Sequence, residues 1–125
     1  MKIVRDGYDA VRRGDPEAAF AMLADDVTWD GAPGVEGCRT RAEVEDTLRA
    51  RAGLRMQVEE LADAGNKVLV CVRVAAGEIA GDGQPDPYRG REQFFQVITL
   101  REGRVTRIED HLDRTAALRA AGIDR

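Results

Sequence analysis

An acidic residue in the C-terminal quarter of this 125-residue chain is the clearest candidate for chemistry. If residues 104–112 form a strand, alternation places Asp110 on the same side as Ile108 and Leu112. A carboxylate between apolar neighbours on a core-facing side is costly unless it has a partner or a function. Burial also disfavours the charged form of a carboxyl group, which suits a general acid or base acting next to a carbonyl. Asp110 is therefore the first catalytic candidate, and a structural carboxylate satisfied by neighbouring polar groups is the alternative.

Three more side chains could assist such a carboxylate. Gln96 could orient a ligand carbonyl through its amide, or simply pair with Asp110. Tyr8, on the apolar stripe of the first predicted helix, could donate to a developing oxyanion or be a core tyrosine with its hydroxyl at a cavity rim. Trp29 could stack on a planar ligand or pack in the core. By contrast, strand parity turns His111, the single histidine, away from Asp110 and towards the surface or a subunit interface.

The composition excludes several other chemistries. The chain has no Ser, so a Ser-His-Asp hydrolase is impossible, and one His with two Cys cannot build the usual zinc sites. Neither a Gly-x-Gly-x-x-Gly sequence nor a Walker phosphate loop is present. We therefore expect no metal and no organic cofactor.

The charge and hydropathy patterns bound the partners and the compartment. A net charge of −4, with the basic residues scattered among acids, predicts no nucleic-acid partner. No apolar run approaches the roughly 20 residues needed to cross a bilayer, and the N-terminus lacks the apolar stretch of a signal peptide. We therefore expect a cytoplasmic protein without membrane contact, with Cys38 and Cys71 as reduced thiols.

The spacing of apolar residues predicts one α+β domain over residues 1–125. The 43% of hydrophobic residues argues against disorder despite 34% of charged ones. Helices are predicted over 2–13, from Asp15-Pro16 to about Leu23, from the capping box Thr40-Arg-Ala-Glu43 to near Gly53, and from Asp113 as N-cap to Gly122. Strands are predicted over 27–30, 55–63, 68–74, 92–101 and 104–112, with a loop over 81–90.

The long strands carry apolar side chains on both faces. One face has Val68, Val70, Val72, Val74, Phe94 and Ile98, and the other has Leu69, Cys71, Phe95 and Val97. We expect helices to cover one face of the sheet. The second face is therefore predicted to contact another subunit, which gives a homodimer through the outer face.

Several segments together resemble the nuclear transport factor 2-like superfamily. They are Gly14-Asp15 between two helices, Ala24-Asp-Asp-Val-Thr-Trp29 at the first strand, and the tail from Gly103 to Gly122. Within the superfamily, the chain is most similar to SnoaL-like polyketide cyclases and ketosteroid isomerase-like proteins. The resemblance covers nearly the whole chain. It implies a single SnoaL-like domain with a cone-shaped fold, in which N-terminal helices cover the concave face of a curved, mixed, mostly antiparallel sheet.

The resemblance also implies an apolar cavity that binds a hydrophobic small molecule. With Phe20, which the second predicted helix turns inward, the expected substrate-binding residues are Trp29, Val70, Val72, Val74, Phe94, Ile98, Ile108 and Leu112. Asp110 matches the acid of the His-Trp-Asp signature of SnoaL-like cyclases, although Ile108 and Glu109 stand where that signature has His and Trp.

The ketosteroid isomerase pattern is retained less well. Its general base falls on Gly31 and its oxyanion Tyr on Gly7, one residue before Tyr8, while its protonated acid falls on Gln96. The resemblance thus implies catalysis by Asp110 with Gln96 and Tyr8, in a cofactor-free isomerase, cyclase or dehydratase acting on an oxygenated, polyketide- or steroid-like substrate. The alternatives are a non-catalytic ligand-binding or interaction module, and epoxide opening as in limonene epoxide hydrolases.

Overall fold

The computed structural model describes residues 2–31, 37–51, 56–74 and 93–123. This part of the chain forms α1 (Lys2–Arg12), α2 (Glu17–Phe20), β1 (Leu23–Asp30), α3 (Arg41–Arg51), β2 (Met56–Ala64), β3 (Lys67–Val74), β4 (Gln93–Arg101), β5 (Arg104–His111) and α4 (Arg114–Ala121). The predicted order of elements is confirmed. The predicted helix end near Gly53, strand start at Arg55 and loop at 81–90 lie outside the described residues.

The five strands form one sheet in the order β1-β5-β4-β3-β2. β1 runs parallel to β5, whereas the other neighbours are antiparallel, so the predicted α+β class with a mixed, mostly antiparallel sheet is confirmed. The parallel pair brings Trp29 of the first strand beside Ile108 of the last. In the adjacent pair, Gln96 lies directly opposite Asp110. Both registers bring together residues that are distant in the sequence.

Alternation along the strands sorts the side chains onto two faces as predicted. On β3, Val68, Val70 and Val72 belong to an inner core cluster, whereas Leu69 and Cys71 belong to an outer one. The first three helices cover the inner face and contribute Val4, Phe20 and Val44 to its cluster. The face that the N-terminal helices were expected to cover is therefore the face that carries the valines.

The outer face is covered by α4, contrary to the expectation of helices on one face only. Ala117 and Ala121 pack against Leu69 and Val97, and all four residues are buried. Alanine on the contact side of a helix lets the helix approach the sheet closely. The apolar residues that motivated the predicted homodimer are thus buried within one chain, and this argument for a second subunit is wrong.

Both predicted ends of α4 are confirmed. The Asp113 side chain accepts a hydrogen bond from the Ala116 amide at 2.8 Å. At the other end, Gly122 adopts a left-handed conformation with φ 75°, and Ile123 N donates to Leu118 O at 2.9 Å. Ile123 also packs against the outer cluster, so the helix end is fixed by both polar and apolar contacts.

Two boundaries near the N-terminus differ from the prediction. α2 ends at Phe20 rather than Leu23, and β1 begins at Leu23 rather than Val27. The reason is tertiary, because Leu23 pairs with Val105 of β5. Strand propensity within the segment would not have placed the start there.

The predicted capping box of α3 is confirmed. Glu43 Oε1 accepts from Thr40 N at 3.2 Å, and Thr40 Oγ1 accepts from Glu43 N at 3.2 Å. In the same turn, Arg41 Nη2 donates to Phe20 O at 2.9 Å and Nη1 donates to Leu23 O at 3.1 Å. These bonds fix the start of α3 against the turn between α2 and β1.

The two cysteines are free thiols, as predicted. Burial, with smaller effects of the Glu59 and Glu60 carboxylates, raises the pKa of Cys71, so its reactive thiolate is scarce at neutral pH. Among the described residues, no helix combines the length and apolar character needed to cross a bilayer.

Candidate active site

A cavity of about 90 Å³ lies between the inner face of the sheet and the helices. Its wall is formed by Ile3, Val4, Gly7, Tyr8, Val11, Ala19, Met22, Leu23, Trp29, Leu48, Arg51, Phe94, Gln96, Ile98, Val105 and Ile108. Among the described residues of this wall, Tyr8, Arg51 and Gln96 have polar side chains that can bind a ligand oxygen. Sites that enclose a drug-sized ligand usually have about 300–1,000 Å³. The cavity of this structure is therefore smaller than most sites that enclose a drug-sized ligand.

A chain of hydrogen bonds runs inwards from the cavity wall. The Tyr8 hydroxyl donates to Gln96 Oε1, and Gln96 Nε2 donates to Asp110 Oδ1 at 2.7 Å. Gln96 and Asp110 are each 4% exposed. The opposite amide orientation would place two acceptor oxygens together, so the two partners fix the orientation of Gln96. The three predicted catalytic residues are thus brought into one network.

Tyr8 is a hydrogen-bond donor rather than a base at neutral pH. Burial, and then the nearby charge of Asp110, raise the pKa of Tyr8 far above its usual value of about 10, while Arg51 opposes this shift. The hydroxyl therefore stays protonated and can be shared between Gln96 and a ligand oxygen.

Asp110 lies behind the cavity wall rather than in it. Its side chain is on the inner face, as strand parity predicted, but it does not line the cavity, because the Gln96 amide stands in front of it. A ligand in the cavity meets Tyr8 and Gln96 first.

The expected substrate-binding residues divide into two groups. Trp29, Phe94, Ile98 and Ile108 line the cavity. Phe20, Val70 and Val72 are buried in the same core without lining the cavity, and Leu112 packs against that core. Phe20 instead faces α3, where the guanidinium carbon of Arg49 lies 4.9 Å from its ring centre. The side chain of Val74 lies outside the described residues.

Arg51 is a cavity residue that the sequence analysis missed. Its guanidinium carbon lies 4.9 Å from the ring centre of Trp29, and both side chains line the cavity. A signal was present, because Val44, Leu48 and Arg51 are spaced i, i+4 and i+7 on α3. A charged residue that continues an apolar stripe is a candidate site residue for the same reason as Asp110.

Tyr8 also borders an open polar groove of about 530 Å³. The groove runs between α1 and β2 and is lined by Arg5, Tyr8, Asp9, Arg12, Gln57, Val58 and Glu59. Arg12 Nη2 pairs with Asp9 Oδ1 at 3.0 Å. The Tyr8 side chain therefore lies between the apolar cavity and the open polar groove.

His111 and Asp113 do not belong to the site. Asp113 caps α4, and His111 lies on the outer face with its Nε2 3.6 Å from Glu109 Oε2. In the described part of the chain, no group of three or more His, Cys, Asp or Glu residues is arranged to hold a metal ion.

Comparison with known proteins gives a family and a fold. A family model described as a SnoaL-like domain matches residues 4–108. No curated protein matches the sequence. An NTF2-like protein of unknown function from Burkholderia pseudomallei is 26% identical, with a TM-score of 0.66 over 95% of this chain and 94% of that one.

Two further solved structures share the fold at lower identity. A putative polyketide cyclase from Sinorhizobium meliloti is 20% identical, with a TM-score of 0.66 over 89% of this chain and 94% of that one. An LEH-like epoxide hydrolase from M. tuberculosis is 21% identical, with a TM-score of 0.65 over 96% and 81%. One scaffold thus carries differently described proteins, so the activity has to be argued from the site.

Proposed function

The chain belongs to the SnoaL-like domain family, and on that premise we propose that it is a cofactor-free enzyme of the isomerase, cyclase or dehydratase type. Its substrate is a small, largely apolar molecule with a carbonyl or hydroxyl oxygen. The observation that carries this proposal is the chain of hydrogen bonds from Tyr8 through Gln96 to Asp110, which ends in a carboxylate behind a largely apolar cavity.

The proposed reaction is proton transfer at a carbon next to a carbonyl. The substrate carbonyl takes the place of the Gln96 oxygen as acceptor of the Tyr8 hydroxyl proton, and the Gln96 side chain turns aside. Asp110 then removes the proton from the carbon. The electron pair of the C–H bond is delocalised onto the carbonyl oxygen, which gives an enolate whose oxygen accepts a hydrogen bond from Tyr8. Return of the proton to a different carbon completes an isomerisation without any oxidant or reductant.

A second candidate is a non-catalytic module that binds a small ligand on the same fold. The position of Asp110 favours it, because this carboxylate does not line the cavity. Epoxide opening needs a water held between two polar groups. Gln96 and Asp110 are in direct contact at 2.7 Å, so Gln96 would have to turn aside and a water would also have to bind beside Asp110. This reaction therefore needs one component more than proton transfer, and we do not propose it.

Hydrogen–deuterium exchange separates the two candidates without knowledge of the natural substrate. Small cyclic ketones that bind are first identified through the fluorescence of Trp29, the single tryptophan, which lines the cavity. Loss of their α-hydrogen signals in D2O is then followed by NMR. We expect exchange with the wild type and a reduction of about 10²–10⁴-fold with Asp110→Asn, which keeps the shape but removes the base. Ketones that bind without any protein-dependent exchange would favour the binding module.

Gly7→Ala tests whether the ketones bind in the cavity. Gly7 lies in α1 and lines the cavity, and an added Cβ would make an ordinary contact of 3.4 Å with Met22 Sδ. Alanine in a helix is more favourable than glycine by about 0.5–1 kcal/mol. We expect a slightly more stable protein that binds the ketones less tightly. Unchanged affinity would place the ligand elsewhere.

We also retain the predicted homodimer and the predicted cytoplasmic location as proposals. Since α4 covers the apolar part of the outer face, a partner would contact its polar part, near Glu109 and His111. Sedimentation velocity of the wild type tests this, because a dimer has twice the chain mass. A single monomeric species at micromolar concentration would contradict it.

A further inference from the structure

The wall of the cavity changes from polar to apolar along the sheet. At the polar level, Gln96 of β4 lies opposite Asp110 of β5. Two residues further along β4, Ile98 lies opposite Ile108, and both of these side chains line the cavity. A ligand whose oxygen lies at Gln96 therefore has its apolar part beside the two isoleucines.

Met22 lies at the apolar end of the cavity. Its backbone oxygen accepts a hydrogen bond from Val105 N at 2.7 Å. Val105 pairs with Leu100 of β4, and both Met22 and Val105 line the cavity. Because Leu100 is four residues beyond Gln96, the two ends lie about 13 Å apart along the strand. A cavity of about 90 Å³ that extends between these levels is long and narrow, which suits an unbranched chain better than a fused ring system.

The Met22 side chain lies next to the only position of the α1 apolar stripe that has no side chain. A Cβ added at Gly7 would lie 3.4 Å from Met22 Sδ, which is an ordinary contact, so packing within the protein does not require glycine here. The Met22 backbone is fixed by its bonds to Val105 and Ala19. Its half-buried thioether side chain is unbranched and adaptable. A substitution at Met22 therefore changes the space at this end and not the course of the backbone.

We infer that Met22 determines how long a ligand the cavity takes, and that the natural substrate is a carbonyl compound with a straight aliphatic chain. The carbonyl oxygen lies at Tyr8 and Gln96, and the chain passes Ile98 and Ile108 and ends at Met22. This inference rests on the proposed function, since it names the class of substrate and its direction in the same cavity. Met22 acts as a specificity-determining residue, remote from the reacting atoms.

Methyl ketones of increasing length, from 2-butanone to 2-octanone, test the length of the site. NMR titration measures their binding, and loss of the α-hydrogen signals in D2O measures turnover separately. For the wild type we expect the affinity to rise about fourfold with each added methylene, as for burial of one CH₂ group, up to a limiting length beyond which it levels off. We also expect 2-hexanone to bind more tightly than cyclohexanone, which has the same number of carbon atoms.

Three variants make the result specific to Met22. Met22→Ala removes the side chain beyond Cβ and should extend the limiting length by about two or three carbon atoms. Met22→Phe fills the same end and should shorten it. Leu118→Ala is the matched control, because Leu118 packs against the outer cluster on the other side of the sheet, and it should leave the limit unchanged. Thermal melting shows whether each variant is folded, and if Met22→Ala is not, Met22→Phe decides.

The outcomes separate this inference from the proposed function. The same limiting length in the wild type and both Met22 variants, or an equal shift in Leu118→Ala, overturns the role of Met22 and leaves the proposed reaction intact. Tighter binding of cyclohexanone than of 2-hexanone overturns the straight-chain substrate. Ketones that show the expected limits but no protein-dependent exchange support the role of Met22 and overturn the proposed reaction. Failure of every ketone to bind overturns both proposals.

Discussion

The two faces of the sheet differ in how completely their buried polar groups are hydrogen-bonded. On the inner face, the Gln96 amide has a partner at both ends, Asp110 and Tyr8. On the outer face, Glu109 Oε1 and His111 Nε2 are buried and make no hydrogen bond within the described residues. Residues 109 and 110 are neighbours in the chain, yet alternation places one carboxylate in a satisfied network and the other in an incomplete one. Buried polar atoms are normally paired, so the outer pair is where water or another molecule is expected.

The faces also differ in packing. Beneath α4 the outer cluster is closed, and Leu69 and Val97 are fully buried. On the inner side a cavity of about 90 Å³ remains between α1, α3 and the sheet. Close packing is the usual state of a protein interior. A hollow on the inner face, with a polar network at its wall, is therefore better explained by a ligand than by poor packing.

The largest expected effect is on stability, when the same Leu-to-Ala substitution is made on the closely packed outer face and on the inner face that borders the cavity. Leu69→Ala opens a new cavity in the outer cluster and should cost about 3–5 kcal/mol of unfolding free energy. Leu23→Ala enlarges a cavity that already exists and should cost less, about 2–3 kcal/mol. Urea unfolding of both variants measures the difference. Equal losses would mean that the inner hollow is not present in solution.

The next largest effect on stability is expected when the inner polar network at Gln96 is compared with the outer polar group Glu109. Gln96→Leu deprives Asp110 of a donor and Tyr8 of an acceptor and should cost about 2–3 kcal/mol. Glu109→Leu removes a carboxylate whose Oε1 makes no hydrogen bond within the described residues. Its ion contacts are long, at 3.7 Å to Arg107 Nη1 and 3.6 Å to His111 Nε2, so the substitution should cost less than about 1 kcal/mol. Urea unfolding at several protein concentrations is the measurement. A large, concentration-dependent loss for Glu109→Leu would instead indicate that a second subunit pairs with it.

A pH series sharpens the description of the inner network. Because the pKa of Tyr8 is raised in the folded state, its stabilising contribution is complete below pH about 10 and is lost as the pH rises further. At pH 7, Tyr8→Phe should be less stable than the wild type by about 1–2 kcal/mol. Above pH 10 the wild type should lose roughly 1.4 kcal/mol per pH unit more than the variant, so the gap closes. Parallel pH profiles of the two proteins would show that Tyr8 is not buried in the network.

The smallest expected effect concerns the helix that closes the outer face. Asp113→Ala removes the side-chain acceptor of the Ala116 amide and should cost about 1 kcal/mol. Asp113→Asn keeps an N-cap oxygen and should stay close to the wild type. Thermal unfolding distinguishes the two. If Asp113→Ala left the stability unchanged, α4 would contribute little to covering the sheet.

Local patterns predicted most of the fold and part of the site. Strand alternation assigned Val70 and Leu69 to opposite faces and placed Asp110 on the inner one, because alternation is a property of a few consecutive residues. The caps of α3 and α4 were predicted for the same reason, because each cap involves residues only a few positions apart. The strand start at Leu23 was missed because its partner, Val105, is 82 positions away (105 − 23).

For the site, the sequence determined which residue types are available and which faces they occupy. The tertiary structure alone decided that Gln96 shields Asp110 from the cavity, that α4 covers the outer face, and that Arg51 reaches Trp29. These relations depend on the register between strands and on how the helices dock against the sheet. Both result from packing between segments that are distant in the chain, and periodicity within one segment carries no information about them.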